Sequence, residues 1–137
     1  MTRIQDQRVP HPTARTALAR AHGGHRALLV ATCVALLVAS VGDAATGYDG
    51  PGPFIYPAFA LLVALLPGRF TPLAAAAMSA FFVVGGLCSP MFVHRLLDPG
   101  HLGDLAAGWG QMAGFAVATM CAVAAVITAP SPRQPIV

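Results

Sequence analysis

The sequence predicts an all-α integral membrane protein, a small four-helix bundle whose second transmembrane helix is short. Three observations carry this expectation. Of 137 residues, 56% are hydrophobic and only 9% are charged, against about a quarter charged in an ordinary soluble domain. So few charges cannot keep a soluble surface of this size wet. The apolar residues are gathered into four runs, separated by stretches rich in glycine and proline. The longest run, 105–129, holds no charged residue and as a helix is long enough to cross a hydrocarbon core of about 30 Å.

The chain is long enough for one domain. Residues 1–26 form a basic arm: Arg3, Arg8, Arg15, Arg20 and Arg26 precede the first apolar run, opposed only by Asp6. Pro10 and Pro12 argue for disorder in its first dozen residues, while 14–21 suits a short helix on the headgroups, interrupted at Gly23 and Gly24. A basic arm beside a membrane implies contact with the bilayer and its anionic lipid headgroups, through Arg15, Arg20 and Arg26, before it implies nucleic acid. Every basic residue is arginine, and Lys, Glu and Asn are absent. That is codon usage of a GC-rich genome, so a bacterial plasma (inner) membrane is the expected setting.

The first helix is expected over 27–43, with Arg26 snorkelling at one boundary and Asp43 at the other. The basic flank, apolar core and small residues Gly42 and Ala44 also fit a cleaved leader, but the basic region is longer than a leader requires. A loop dense in breakers follows. The second helix, 54–66, carries Pro57 in its first turn, where proline is tolerated. The third, 72–88, opens on Thr71-Pro72, a capping residue followed by a proline suited to the first helical position. The turn between the second and third is tight enough to make them an antiparallel hairpin. Ser89-Pro90 ends the third, an outer segment over 91–104 follows, and the fourth helix takes 105–129. Residues 130–137 form a short cytoplasmic tail.

Charge sets the orientation. If the short second helix spans, the arm, Arg69 and Arg133 share one side and only Arg95 lies opposite. The positive-inside rule therefore predicts four spans with both termini cytoplasmic. In that arrangement Tyr48, Tyr56 and Trp109 all fall at the outer boundary, as an aromatic belt would place them.

Small residues recur every fourth position in two helices: Ala27, Ala31, Ala35 and Ala39 in the first, and Ala106, Gly110, Gly114, Ala118 and Ala122 in the fourth. In lipid such faces allow close backbone approach, which drives helix association. Ala31, Ala35, Ala39, Gly110, Gly114 and Ala118 are accordingly the expected packing residues, within the chain, against a second copy or against another membrane subunit. Gln111, beside this face, is expected to crosslink helices through its amide. Thr32, Ser40, Ser79 and Thr119 are expected to bond their own helix carbonyls.

The outer loops collect Asp43, Asp49, His94, Arg95, Asp98, His101 and Asp104. His94, His101 and Asp104 are the weak candidates for a metal, but Asp98-Pro99-Gly100 separates the histidines and removes any helical ligand spacing. A solvated loop with an Arg95–Asp98 pair is the expectation there. Cys33, Cys88 and Cys121 have no metal-ligand or disulfide spacing. No catalytic set and no cofactor motif is legible. No titratable residue other than cysteine lies mid-span, which argues against proton-coupled carriers, pumps and voltage sensors. The expected function is a non-enzymatic accessory or assembly subunit. The alternative is a small carrier or channel for an apolar or uncharged solute, followed by a metal-dependent enzyme at the outer face.

Overall fold

The computed structural model describes residues 15–47 and 50–129, all of whose regular structure is helical. Residues 1–14 of the basic arm, Tyr48, Asp49 and the 130–137 tail with Arg133 fall outside that range. Six helices follow in order: α1 (Ala17–Arg20), α2 (Gly23–Ala45), α3 (Gly52–Leu65), α4 (Thr71–Cys88), α5 (Pro90–Leu97) and α6 (Leu102–Ile127). The helices α2, α4 and α6 are long and apolar enough to cross a membrane; α3, at 14 residues, is shorter and about 21 Å long.

Each start has a local cause. Thr16 caps α1, its hydroxyl accepting from the Ala19 amide at 3.3 Å. Ser89 caps α5 by accepting from the Phe92 amide, with Pro90 next to it at the first helical position. The Ser-Pro pair therefore starts a helix as well as ending one, and 91–104, expected as an outer loop, is mostly helical, in α5 and the first residues of α6. The longer α2 and α6 begin three or four residues before the apolar runs, because a helix needs no apolar residue in its first turn.

Along the α2–α6 seam the packing is mostly small-in, large-out, although Leu36 and Phe115 are also fully buried. Thr32, Ala35, Ala39 and Gly42 of α2 are buried, while Val30, Val34, Leu37, Val38 and Val41 are exposed. Likewise α6 buries Gly114, Ala118, Ala122 and Ala125 and exposes Val117, Met120, Val123 and Ile127. In water this would waste the large side chains; in lipid it lets backbones approach while the large residues meet acyl chains. Glycines mark the closest points of the α2–α6 seam. A Cβ on Gly114 would lie 2.8 Å from the Ala35 carbonyl oxygen and 3.0 Å from the Ala39 nitrogen, and one on Gly42 would lie 2.7 Å from the Ala107 carbonyl oxygen. The pairing of 35 and 39 with 114, and of 42 with 107, makes the two helices antiparallel.

The seam does not follow the four-residue spacing throughout. Gly110 has open space where its Cβ would be, Ala106 and Ala27 are exposed, and Ala31 is only partly buried. Four residues turn a helix about 40° past a full turn, so a strict repeat of four walks off any face. The buried line on α6 instead runs Gln111, Phe115, Ala118, Ala122, Ala125, alternating steps of four and three.

Polar groups inside are handled unevenly. Thr32 and Thr119 donate to their own helix, at Leu28 and Phe115. Ser40 does not: its hydroxyl reaches across to the Pro53 carbonyl at 3.0 Å. Pro57 has no N–H to give that carbonyl its helical partner, so α2 supplies one. The Ser79 hydroxyl is buried without a hydrogen-bond partner among the described residues.

Candidate functional site

At one end of the helices, the C-terminal ends of α2 and α4 and the N-terminal ends of α3 and α6 surround a cavity of about 610 Å³. Its polar wall is built from Asp43, Tyr56, Arg95 and Gln111; Phe82 and Phe92 are among its apolar residues. This size lies within the range typical of small-molecule sites, about 300–1,000 Å³.

The Gln111 side-chain amide donates from Nε2 to Asp43 Oδ1 at 3.1 Å, joining α6 to α2 across 68 positions of sequence. It sits on the buried α6 line, one turn from Gly114, so the close approach of the two helices delivers the amide to the carboxylate. The other amide atom, Gln111 Oε1, is buried without a hydrogen-bond partner among the described residues. Tyr56 lies beside both Asp43 and Gln111. Gly52 is the place where the chain must pass tightly: a side chain there would collide with the Asp43 carboxylate and the Tyr56 hydroxyl.

Tyr56 is only 2% exposed and so does not belong to an interfacial aromatic belt. Its ring stands edge-on to Phe115 at 4.8 Å and to Phe82 at 5.1 Å, and those two phenyl rings stack at 5.6 Å. Tyr56 and Phe82 line the floor of the cavity, and Phe115 packs against both without lining it. Pro57 in the first turn had suggested only a helix entry; the burial of its neighbour had no signal in spacing. Of the two described belt residues Trp109 is the exposed one, with Nε1 donating to the Leu96 carbonyl at 3.2 Å and tying α6 to α5.

Among the described residues, the acidic and imidazole side chains expected in the outer loops are not brought to one point. Among the described residues no group of three or more His, Cys, Asp or Glu can hold a metal ion, which applies to His94, His101 and Asp104. Asp98 takes the Gly100 amide at 2.9 Å and His101 Nδ1 at 3.1 Å, whereas Arg95 turns to the cavity wall. The geometry is an Asx-type turn before α6, in which the carboxylate meets the backbone two residues on. The Gly100 hydrogen bond, then His101, hold the Asp98 carboxyl below its ordinary range. A group depressed in the fold stabilises it above the unfolded value of about 3.9, and that contribution is lost as pH falls through the lower folded value. Side-chain carboxyl NMR in micelles should find the Asp98 midpoint below about 3.9; a midpoint at or above it contradicts the turn.

What the fold and the site define is an all-helical protein with three helices suited to crossing a membrane and a mixed polar–aromatic cavity at one helix end. The chain matches no protein-family model, and neither a curated protein nor a solved structure is significantly similar to it.

Proposed function

We propose that the chain is a multi-pass protein of a bacterial plasma membrane, crossing the bilayer four times with both termini cytoplasmic. In this reading it is a non-enzymatic accessory subunit that holds a small neutral ligand in the outer cavity. The observation carrying the ligand is the Asp43–Gln111 hydrogen bond at the cavity wall, with Gln111 Oε1 left unpaired beside Tyr56. Carboxylate and amide oxygens favour a ligand bringing an N–H or O–H donor, and the aromatic floor favours an apolar body. A carboxylate already engaged by an amide is arranged to orient a bound group rather than to move protons. Support for four crossings comes from α3: its two ends line the two cavities found at opposite ends of α2. A short helix shielded by neighbours, or one that thins the bilayer locally, can span at modest cost.

The test is native mass spectrometry of protein taken from its own membranes in mild detergent. A stoichiometric small-molecule adduct or partner subunit is expected. Gln111→Leu should weaken adduct retention about tenfold, the scale of one buried hydrogen bond. A strictly monomeric, adduct-free protein overturns the reading, as does a reporter fused at Arg69 that reads outside the cell.

A second reading is a carrier for an uncharged solute, favoured by Gly86 and the Ser89–Pro90 break at the cavity wall. Flux of neutral solutes into liposomes holding the purified protein distinguishes it from a binding subunit.

A further inference from the structure

The opposite end of the helices holds a second cavity, of about 410 Å³, between the start of α2, the end of α3 and the α3–α4 turn. Its polar lining is Arg20, His22, His25 and Arg69, and Val63 and Leu66 are among the apolar residues below. Among the described residues no acidic side chain lines it. The described aspartates Asp43, Asp98 and Asp104 all belong to the other end of the helices. The two guanidinium groups come from segments 49 positions apart in sequence, so the fold, not the basic arm alone, assembles them.

Four further features point to an anion with an apolar tail. The N-terminus of α2 opens here: His22 makes no side-chain cap bond, and Gly23 enters at φ +56° with nothing within 4 Å of its Cβ position. The first-turn amides of α2 are therefore open to a ligand, and the helix dipole favours negative charge there. His25 Nδ1 is buried with no hydrogen-bond partner among the described residues. Leu66 is half exposed, at 54%, so the apolar side of the cavity runs out toward the surface that would meet lipid. Arg69 stacks over Phe70 at 5.9 Å, which steadies its guanidinium at the rim.

We propose that this cavity is a binding site for the phosphate of an anionic phospholipid, with Arg20 and Arg69 clamping the phosphate and the exposed Leu66 side receiving the acyl chain. The site refines what the basic arm alone implies. Arg15 and Arg26 do not line it, whereas Arg69, far along the chain, does. It is independent of the outer cavity and of whatever ligand that cavity holds.

The experiment titrates phosphatidylglycerol and chain-matched phosphatidylcholine into the delipidated full-length protein in neutral detergent, with bound lipid counted by native mass spectrometry. One phosphatidylglycerol should bind at least about tenfold more tightly than phosphatidylcholine, and an Arg20→Gln, Arg69→Gln pair should remove that preference, since charge-assisted bonds to phosphate exceed neutral ones. An Arg15→Gln, Arg26→Gln pair removes the same formal charge and should leave affinity within about twofold. Equal losses in the two pairs would mean nonspecific attraction to the arm and overturn the proposal. Equal binding of the two lipids overturns it as well. Displacement of the lipid by millimolar inorganic phosphate would reassign the site to a free anion. Circular dichroism of both pairs matching wild type keeps a binding loss from being read as misfolding.

Discussion

Gly114→Leu is expected to destabilise the protein by about 3 kcal/mol or more, the upper end of overpacking costs, while Gly110→Leu leaves stability within about 0.5 kcal/mol. The two glycines are one turn apart on α6 and are indistinguishable by composition. Their surroundings differ. A Cβ at Gly114 would lie 2.8 Å from a carbonyl oxygen and 3.0 Å from a backbone nitrogen of α2, neither of which can rotate away. Relief requires α2 and α6 to separate along their seam, which also draws Gly42 off Ala107 and stretches the Asp43–Gln111 bond. A side chain on Gly110 enters open space and exchanges glycine for a better helix former. Equilibrium unfolding in mild detergent, followed by the fluorescence of the single tryptophan, Trp109, gives both values. Equal losses would mean that the close approach at Gly114 is not what holds these helices together.

The same contrast shows what a sequence discloses about such a fold. The four apolar runs were legible because lipid tolerates a backbone only when a long apolar helix satisfies it internally. The structure finds helices at all four runs, three of them long enough to cross a membrane. Which residues of a run face inward was only half legible. Ala35, Ala39, Gly114 and Ala118 lie on the buried lines, but the strict repeat of four also picked Ala106 and Gly110, which the turn of 3.6 residues carries off the face. Ser40 was expected to serve its own helix. Its real partner exists because proline at position 57 orphans a carbonyl in another helix, a deficit visible in sequence although its remedy is not. The site was least legible. Gln111 stood out as an amide in an apolar run, yet nothing local could pair it with Asp43, because that pairing is fixed by the register of two helices 68 positions apart. Tyr56 misled for a physical reason: a phenol is amphipathic, and its place at a helix entry fits an interface as well as a cavity wall.

Phe115→Ala is expected to cost about 3 kcal/mol, and Phe81→Ala less than about 1 kcal/mol. Phe115 is fully buried and touches both Tyr56 and Phe82, whereas Phe81 is 71% exposed. The source of the cost differs from that in a soluble core. If the helices separate into lipid or detergent, an exposed phenyl ring remains in apolar surroundings, so little transfer free energy is lost on truncation. What is lost is packing: the contacts of a buried ring, two aromatic pairs worth about 0.5–1.5 kcal/mol each, and a void against Tyr56 that neighbours fill only in part. A double-mutant cycle of Phe82→Ala with Phe115→Ala should therefore be non-additive by about 0.5–1.5 kcal/mol. Strict additivity would show that the rings are neighbours without being partners. The consequence reaches the site, since Tyr56 rests on this pair while standing beside Asp43 and Gln111. Under conditions where the Phe115→Ala protein stays folded, it should retain less than wild type of the ligand proposed for the Asp43–Gln111 cavity. Phe81→Ala, on the lipid-facing side of the same helix as Phe82, should retain it fully.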